Sequence, residues 1–388
     1  MPPTLVALPT ELLEMIAGIT DTWKEDPILA LRATCRELRY KLEQAFTAEY
    51  FTSRYVRLSL EKLNELKDIS MVPTLAARTT TIEVICRPDL NVDNTHGDKD
   101  DIRSLFDRAS KTLAAALATL LRRFPKLKTI DFIDMRGEDT ALSTFTLPSG
   151  VMDISTTFLD VMAAIDEHGI KPNSIEMTGE VALLRTNIHG LSLLRSCFSM
   201  LETLELSIMF PPDVNGIDMG SCLSSILLQS PKLKNLSLGM AFSEAAGDAF
   251  HSLAVSARLQ HLQHLSIRRS LCTSADLALL LLAHAATLQK CCLIFLNITG
   301  DHPTAIPDLM NVMREKLRLN RVVLNRLNAE QERAVFSGMG KTVSRESPQE
   351  EEWIEEVHSD EFVELEGYDE VHEGLAQARR CVTYTALS

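Results

Sequence analysis

Aromatic side chains, paired cysteines, long apolar runs and an overall positive charge are all scarce in this 388-residue chain, and each scarcity closes off a class of protein. Aromatics are 5% of residues while apolar residues reach 45%, so the core must be built from Leu, Ile, Val and Ala, a bias of helical and repeat architectures rather than of sandwiches or barrels. Eight cysteines (Cys35, Cys86, Cys197, Cys222, Cys272, Cys291, Cys292 and Cys381) occur without a C-x-x-C pair or even spacing. That fits neither a disulfide framework nor a zinc site, and no metal and no cofactor are expected. The longest apolar run, "LALLLLAHAA" from Leu277, is far short of a membrane span, and the N-terminus has no basic segment ahead of an apolar one. The expected compartment is cytoplasmic or nuclear, with no membrane partner. The net charge is −14, but thirteen Asp/Glu and no Lys or Arg fall between Glu346 and Glu373, which leaves the rest at −1. With no basic surface to release counterions, nucleic acid is not an expected partner.

What the chain has in abundance is leucine at a fixed rhythm. The pattern L-x-x-L-x-L appears as "LETLEL" from Leu201, "LKNLSL" from Leu233 and "LQHLSI" from Leu262, with looser copies from Leu127, Leu288 and Leu319. Successive starts from 201 are 32, 29, 26 and 31 residues apart, and "PNSIEM" at Pro172 fills the wider gap before 201. Period-two alternation in each copy predicts a short strand, and the segments before them have helical spacing. Ser274 with Asp276 marks one helix start, and Pro231 one helix end. One strand and one helix per unit predict parallel neighbours with the helices as an outer layer. Over roughly 120–330 the chain resembles the leucine-rich-repeat family, with "YVRLSL" and "TIEVIC" as capping strands of the same sheet. It departs from that family in lacking the Asn three residues past the last Leu. Met209, Ala241 and Ser270 stand there, and Asn297 and Asn328 come one place late.

The N-terminus carries two short amphipathic stripes with more apolar side chains than so small a unit can hide. Pro9 suits a first helical turn, Leu12, Ile16 and Ile19 share a face, and after Asp26-Pro27 come Leu31, Cys35, Leu38 and Leu42. Residues 5–52 resemble an F-box of the filamentous-fungal type. The match rests on Leu8, Pro9, Glu11, Leu12, Leu13 and Ile16, followed by Leu29, Leu31, Arg32, Cys35, Arg36, Leu38 and Arg39. It departs in the insert "DTWKEDP" and in Leu38, where many relatives carry Trp. The resemblance implies an α/β chain in three parts: a three-helix F-box (1–52), a strand–helix leucine-rich-repeat-like solenoid (53–330) and an acidic, partly disordered C-terminal segment (331–388). It also implies docking on Skp1, and through it on a cullin, by Leu8, Pro9, Leu12, Ile16, Leu31, Cys35 and Leu38. The chain would be a non-catalytic, substrate-recognising subunit of a ubiquitin ligase. The competing expectation is a leucine-rich-repeat scaffold unrelated to ubiquitination, with the helices as the cap a repeat array needs.

In L-x-x-L-x-L the leucines point inward and the residues between them line the other face, where Glu205, His264, Arg268, Lys290 and Arg321 are the expected contacts to a protein client. The acidic run either keeps the chain soluble or folds back over the basic end of that face, and the alternation in its two apolar islands, "EWIEEV" and "EFVEL", leaves room for short strands. Other chemistry is expected to be absent. "GMGKT" from Gly338 has Val335 where a phosphate-binding loop needs its first Gly, and "NAEQERAVF" before it reads as helix where that loop needs a strand. "VHEGLAQARR" from Val371 lacks the second His of a zinc protease, and Cys291 and Cys292 point to opposite faces of a strand. His251, His261, His264 and His284 read as surface or helix-edge residues in separate elements.

Overall fold

The computed structural model describes residues 8–13, 27–85, 111–133, 154–178, 194, 196–208, 216–240, 243–299, 304–329, 332–336 and 362–386. After a helical turn at 10–13 come α1 (Pro27–Thr34), α2 (Arg36–Lys41) and α3 (Glu43–Phe51). Strands and helices then alternate: β1 (Ser53–Arg57), α4 (Leu60–Ser70), α5 (Pro73–Ala76), β2 (Thr81–Ile85), α6 (111–121), β3 (Thr129–Ile133), α7 (Ile154–Glu167) and β4 (Ser174–Thr178). There follow β5 (Thr203–Ile208), α8 (Gly216–Leu228), β6 (Asn235–Met240), α9 (Glu244–Ser256), β7 (His264–Arg268), β8 (Leu271–Thr273), α10 (Ser274–Ala283), β9 (Lys290–Thr299), α11 (Ala305–Lys316) and β10 (Arg321–Ala329). The chain continues with β11 (Glu332–Phe336), β12 (Phe362–Glu366), α12 (Tyr368–Cys381) and β13 (Val382–Ala386).

The result is a mixed α/β structure on one large sheet. From β1 to β7, then β9 and β10, each strand pairs in parallel with the one before it. A repeated backbone device holds the spacing. The carbonyls of Thr52, Thr80, Lys128, Asn173, Glu202, Lys234, Gln263 and Gln289 each accept the N–H groups of two successive residues leading into the next strand. All the L-x-x-L-x-L copies, and "PNSIEM", supply strands of this ladder, as do "YVRLSL" and "TIEVIC". The alternation is visible as burial: Leu204, Leu206 and Ile208 are buried, and Thr203, Glu205 and Ser207 are half-exposed.

Opposite the open face lie the helices, and between the two layers runs a single apolar core from Val56 to Ala378. Helix α6 turns Ala114, Leu117, Ala118 and Leu121 inward, the i, i+3, i+4, i+7 stripe of an amphipathic helix. Start signals are satisfied by side chains: Ser59 and Ser243 cap α4 and α9, and Thr273 caps α10 through the Asp276 N–H (3.0 Å), one residue earlier than the Ser274 read from sequence. Helices α8 and α9 lie so close that a Cβ on Gly220 would stand 2.5 Å from the Ala249 carbonyl oxygen.

In the last units the strands change phase. Arg269, Phe295 and Arg326 take φ of 50°, 54° and 49°, and they follow the register-matched residues Arg268, Ile294 and Asn325. Each acts as a bulge. Leu293 and Leu296 are both buried though three apart, as are Leu324 and Leu327, which strict alternation forbids. No Asn ladder is needed at this crease, because the Arg269 N–H donates to the Ile294 carbonyl (3.0 Å) and the Asn297 N–H to that of Ser270 (2.9 Å).

The C-terminal segment departs from expectation in two places. "NAEQERAVF", read as helix, ends β10 and forms β11, which pairs antiparallel with β10 and β13. Its helical spacing was outweighed by an open strand edge to pair with. The second island of the acidic run, "EFVEL", gives β12, antiparallel to β10, and α12 packs beside α11, so the sheet runs past residue 330. The first island, "EWIEEV", lies outside the described residues, as does "GMGKT".

Candidate functional site

The open face is organised by strand register into rows. One row reads Thr81, Thr129, Ser174, Thr203, Asn235, His264, Lys290, Arg321 and Glu366. The next reads Glu83, Asp131 and Glu176, then Glu205, Ser237, Ser266, Cys292, Val323 and Glu364, with Glu176 beside Glu205 because Ile175 pairs with Leu204. The charges are therefore grouped along the face: four carboxylates on β2 to β5, then His264, Arg268, Lys290 and Arg321 on β7 to β10, then Glu364 and Glu366 on β12. All five residues expected to meet a client lie on this face, and all five are half-buried. Glu83 and Glu176 were missed, although aligning "TIEVI" and "SIEMT" on "TIDFI" would have revealed them.

Local contacts hold these charges in place. Ser53 donates to Glu83 and Ser174 to Glu176, and Glu205 meets Arg268 at 3.5 Å. Burial holds the Glu205 carboxyl above the usual carboxylate range against the pull of Arg268, and the Glu176 charge adds to the rise. Burial likewise lowers His264, helped by the nearby charges of Lys290, Arg321 and Arg268. At the basic end Glu364, on the neighbouring strand β12, takes Arg321 at 2.7 and 3.1 Å.

The N-terminal helices form a separate unit. Leu13, Leu38 and Leu42 make a small closed cluster, flanked by the half-buried Leu8, Leu31 and Cys35. Arg32 tightens it by stacking its guanidinium 3.8 Å over Phe46 and pairing with Glu43 at 2.7 Å. Of the seven residues expected to face Skp1, Pro9 is exposed, Leu12 is 43% exposed, and Leu8, Leu31 and Cys35 are half-buried. Leu38 is not at the surface. It is 2% exposed inside the unit's own cluster, because α2 is short and its single inward position must close the unit. Ile16 lies outside the described residues. Leu29, one of the matched positions but not among those seven, is 48% exposed, and Tyr40, 84% exposed, adds apolar surface that the sequence did not single out.

Elsewhere the chemistry is thin. A cleft of about 440 Å³ is bordered by Glu244, Asp248, His251, Cys272, Thr273 and Asp276. There His251 Nδ1 lies 2.7 Å from Asp276 Oδ1, and the Thr273 hydroxyl donates to Asp276 Oδ2 at 2.7 Å. The dyad has no activated nucleophile, since burial pushes the Cys272 thiol up to about 12. His284, read as a surface or helix-edge residue, is a core residue at 2% exposure. Its Nε2 accepts the Leu259 N–H (3.1 Å) and its Nδ1–H donates to the Leu280 carbonyl (2.8 Å), so both ring nitrogens are satisfied without water. Among the described residues no group of three or more His, Cys, Asp or Glu is placed to hold a metal ion, and no helix is long and apolar enough to cross a membrane. Compared with known proteins, the chain matches no family model and no curated protein.

Proposed function

We propose that this chain is a non-catalytic, substrate-recognising adaptor of a Skp1-cullin-F-box ubiquitin ligase. The N-terminal helices dock on Skp1, and the sheet, a leucine-rich-repeat-like solenoid, holds a protein client on its open face. The observation that carries the reading is the helical unit's incomplete self-burial. Among the described residues its core is Leu13, Leu38 and Leu42, Pro9, Leu12 and Leu29 are exposed, and a partner surface would remove them from water. Each large side chain so covered contributes about 1.5–3 kcal/mol of transfer free energy. The mechanism is proximity: a client held beside the ligase presents its lysines at high effective concentration, with no bond chemistry in this chain.

Leu12→Asp combined with Pro9→Ala in the full-length chain tests the docking. Co-purification with Skp1 should be lost while far-ultraviolet circular dichroism and melting stay unchanged. Binding retained by the folded variant would reject the adaptor reading. It would favour the second one, a repeat scaffold capped by these helices, which draws its support from Leu38 being spent on internal packing and from α3 running directly into β1.

A further inference from the structure

We infer that Cys292 is a thiol-modification site, in which His264 takes the thiol proton and the neighbouring Lys290 selects anionic low-molecular-weight disulfides as the reagent. The inference stands on the register of the open face and is independent of the adaptor reading. Cys292 sits between Ser266 on β7 and Val323 on β10. Lys290 lies two residues before it on the same face, about 7 Å along the strand. The residues pairing with Lys290 are His264 on one side and Arg321 on the other, and Arg268 stands two residues past Ser266. His264 Nε2 is 3.6 Å from Cys292 Sγ. The carboxylates nearest this group are already engaged, Glu205 with Arg268 and Glu364 with Arg321, while Lys290 has no ion-pair partner among the described residues. Those pairs offset Arg268 and Arg321, and Lys290 is the cation left to attract an anion beside the half-buried Cys292.

His264 is fitted to the part. Burial and the three cations keep its imidazole neutral in neutral solution, so in the tautomer with hydrogen on Nδ1 its Nε2 can accept a proton. The step balances as follows. The Cys292 S–H proton passes to His264 Nε2, and the thiolate attacks one sulfur of the disulfide. The reagent's S–S bond breaks as the Cys292–S bond forms, and the leaving thiolate departs with the electron pair. The reagent is the oxidant, and Lys290 stabilises the thiolate and draws in the reagent's carboxylates.

Four of the other described cysteines, Cys291, Cys272, Cys197 and Cys35, lack this setting. Cys291, next in the chain, faces the core at 0% exposure, and burial pushes its thiol up, as it does Cys272 and Cys197, each to about 12. Cys35 is half-exposed, but its sulfur accepts the Leu38 N–H at 3.5 Å as a helix cap.

The experiment uses the full-length chain under non-denaturing conditions at neutral pH, with dianionic dithiobis(nitrobenzoate) and dicationic cystamine as probes and peptide mapping of the adduct. Cys292 should be labelled first, and by the dianion faster than by the dication by roughly tenfold or more relative to a free thiol control. Lys290→Gln should shrink that preference, and Cys292→Ser should remove the fast phase. The wild-type preference needs no variant to fold. Labelling of Cys35 or Cys381 ahead of Cys292 would overturn the assignment. Equal rates with the two probes, or a preference untouched by Lys290→Gln, would overturn the role given to Lys290.

Discussion

At the scale of single residues, burial separates side chains that sequence spacing cannot. Leu12 and Leu38 occupy equivalent apolar positions of two short helices, yet one is exposed and the other encloses the unit's core. Leu38→Ala should cost about 2–5 kcal/mol of the helical unit's stability, seen as faster amide exchange over α1 to α3, whereas Leu12→Asp should leave exchange unchanged and act on partner capture alone. His284 is the reverse case, a polar residue that sequence leaves at the surface and the fold buries. Burial lowers its pKa from the ordinary 6.5, so below that value the unfolded chain takes up a proton that the folded chain resists. Stability should therefore rise with pH through the window just under 6.5 and fall on acidification through it. His284→Leu should flatten that slope, with His264 supplying the remainder, and should cost about 1–3 kcal/mol for the orphaned Leu259 N–H, both read from urea titrations at a series of pH values. Neither assignment was available from periodicity, which says that a position is apolar or polar without saying whether neighbours are large enough to close over it.

Among the elements, those with a private signal were legible and those defined by a neighbour were not. The strands of the parallel ladder announce themselves, because an alternating leucine pattern has no helical reading that buries the same atoms. Strand β11 has no such signal, whereas the alternation in "EFVEL" leaves room for the short strand found at β12. "ERAVF" and "FVELE" become strands because β10 presents an open edge, and an edge is a property of the folded sheet. Cutting the chain after residue 331 should accordingly expose the edge of β10 and the face of α11 that α12 covers, and light scattering should show oligomers where the full-length chain shows none. Register also explains why the Cys292–His264 pair escaped notice: the residues are 28 apart in sequence and meet only once β7 and β9 are aligned. The helical layer has its own constraint. Gly220→Val would drive a side chain into the Ala249 backbone, and a loss of about 1–3 kcal/mol is expected in thermal or urea unfolding.

For the molecule as a whole, the core divides unequally. Among the described residues the cluster under α1 to α3 contains three buried side chains and stands apart from the one that spans the sheet, so hydrogen exchange should report opening of 27–51 at lower free energy than β5 to β9. The α/β class and the order of the strands could be read in advance, since a unit repeated with one strand and one helix leaves little choice of topology. The polarity of the open face could not, because it arises from the sum of many positions, each unremarkable alone. That polarity has a kinetic consequence. Carboxylates gathered on β2 to β5 and cations on β7 to β10, partly offset by Glu364 and Glu366 on β12, give the face a lateral dipole, which turns an oppositely polarised ligand into alignment before any atom touches. Such steering acts on the encounter and little on the departure. Added salt should slow association steeply while leaving dissociation nearly level, and a peptide with its charge order reversed should arrive more slowly than one with the matching order, even at equal net charge.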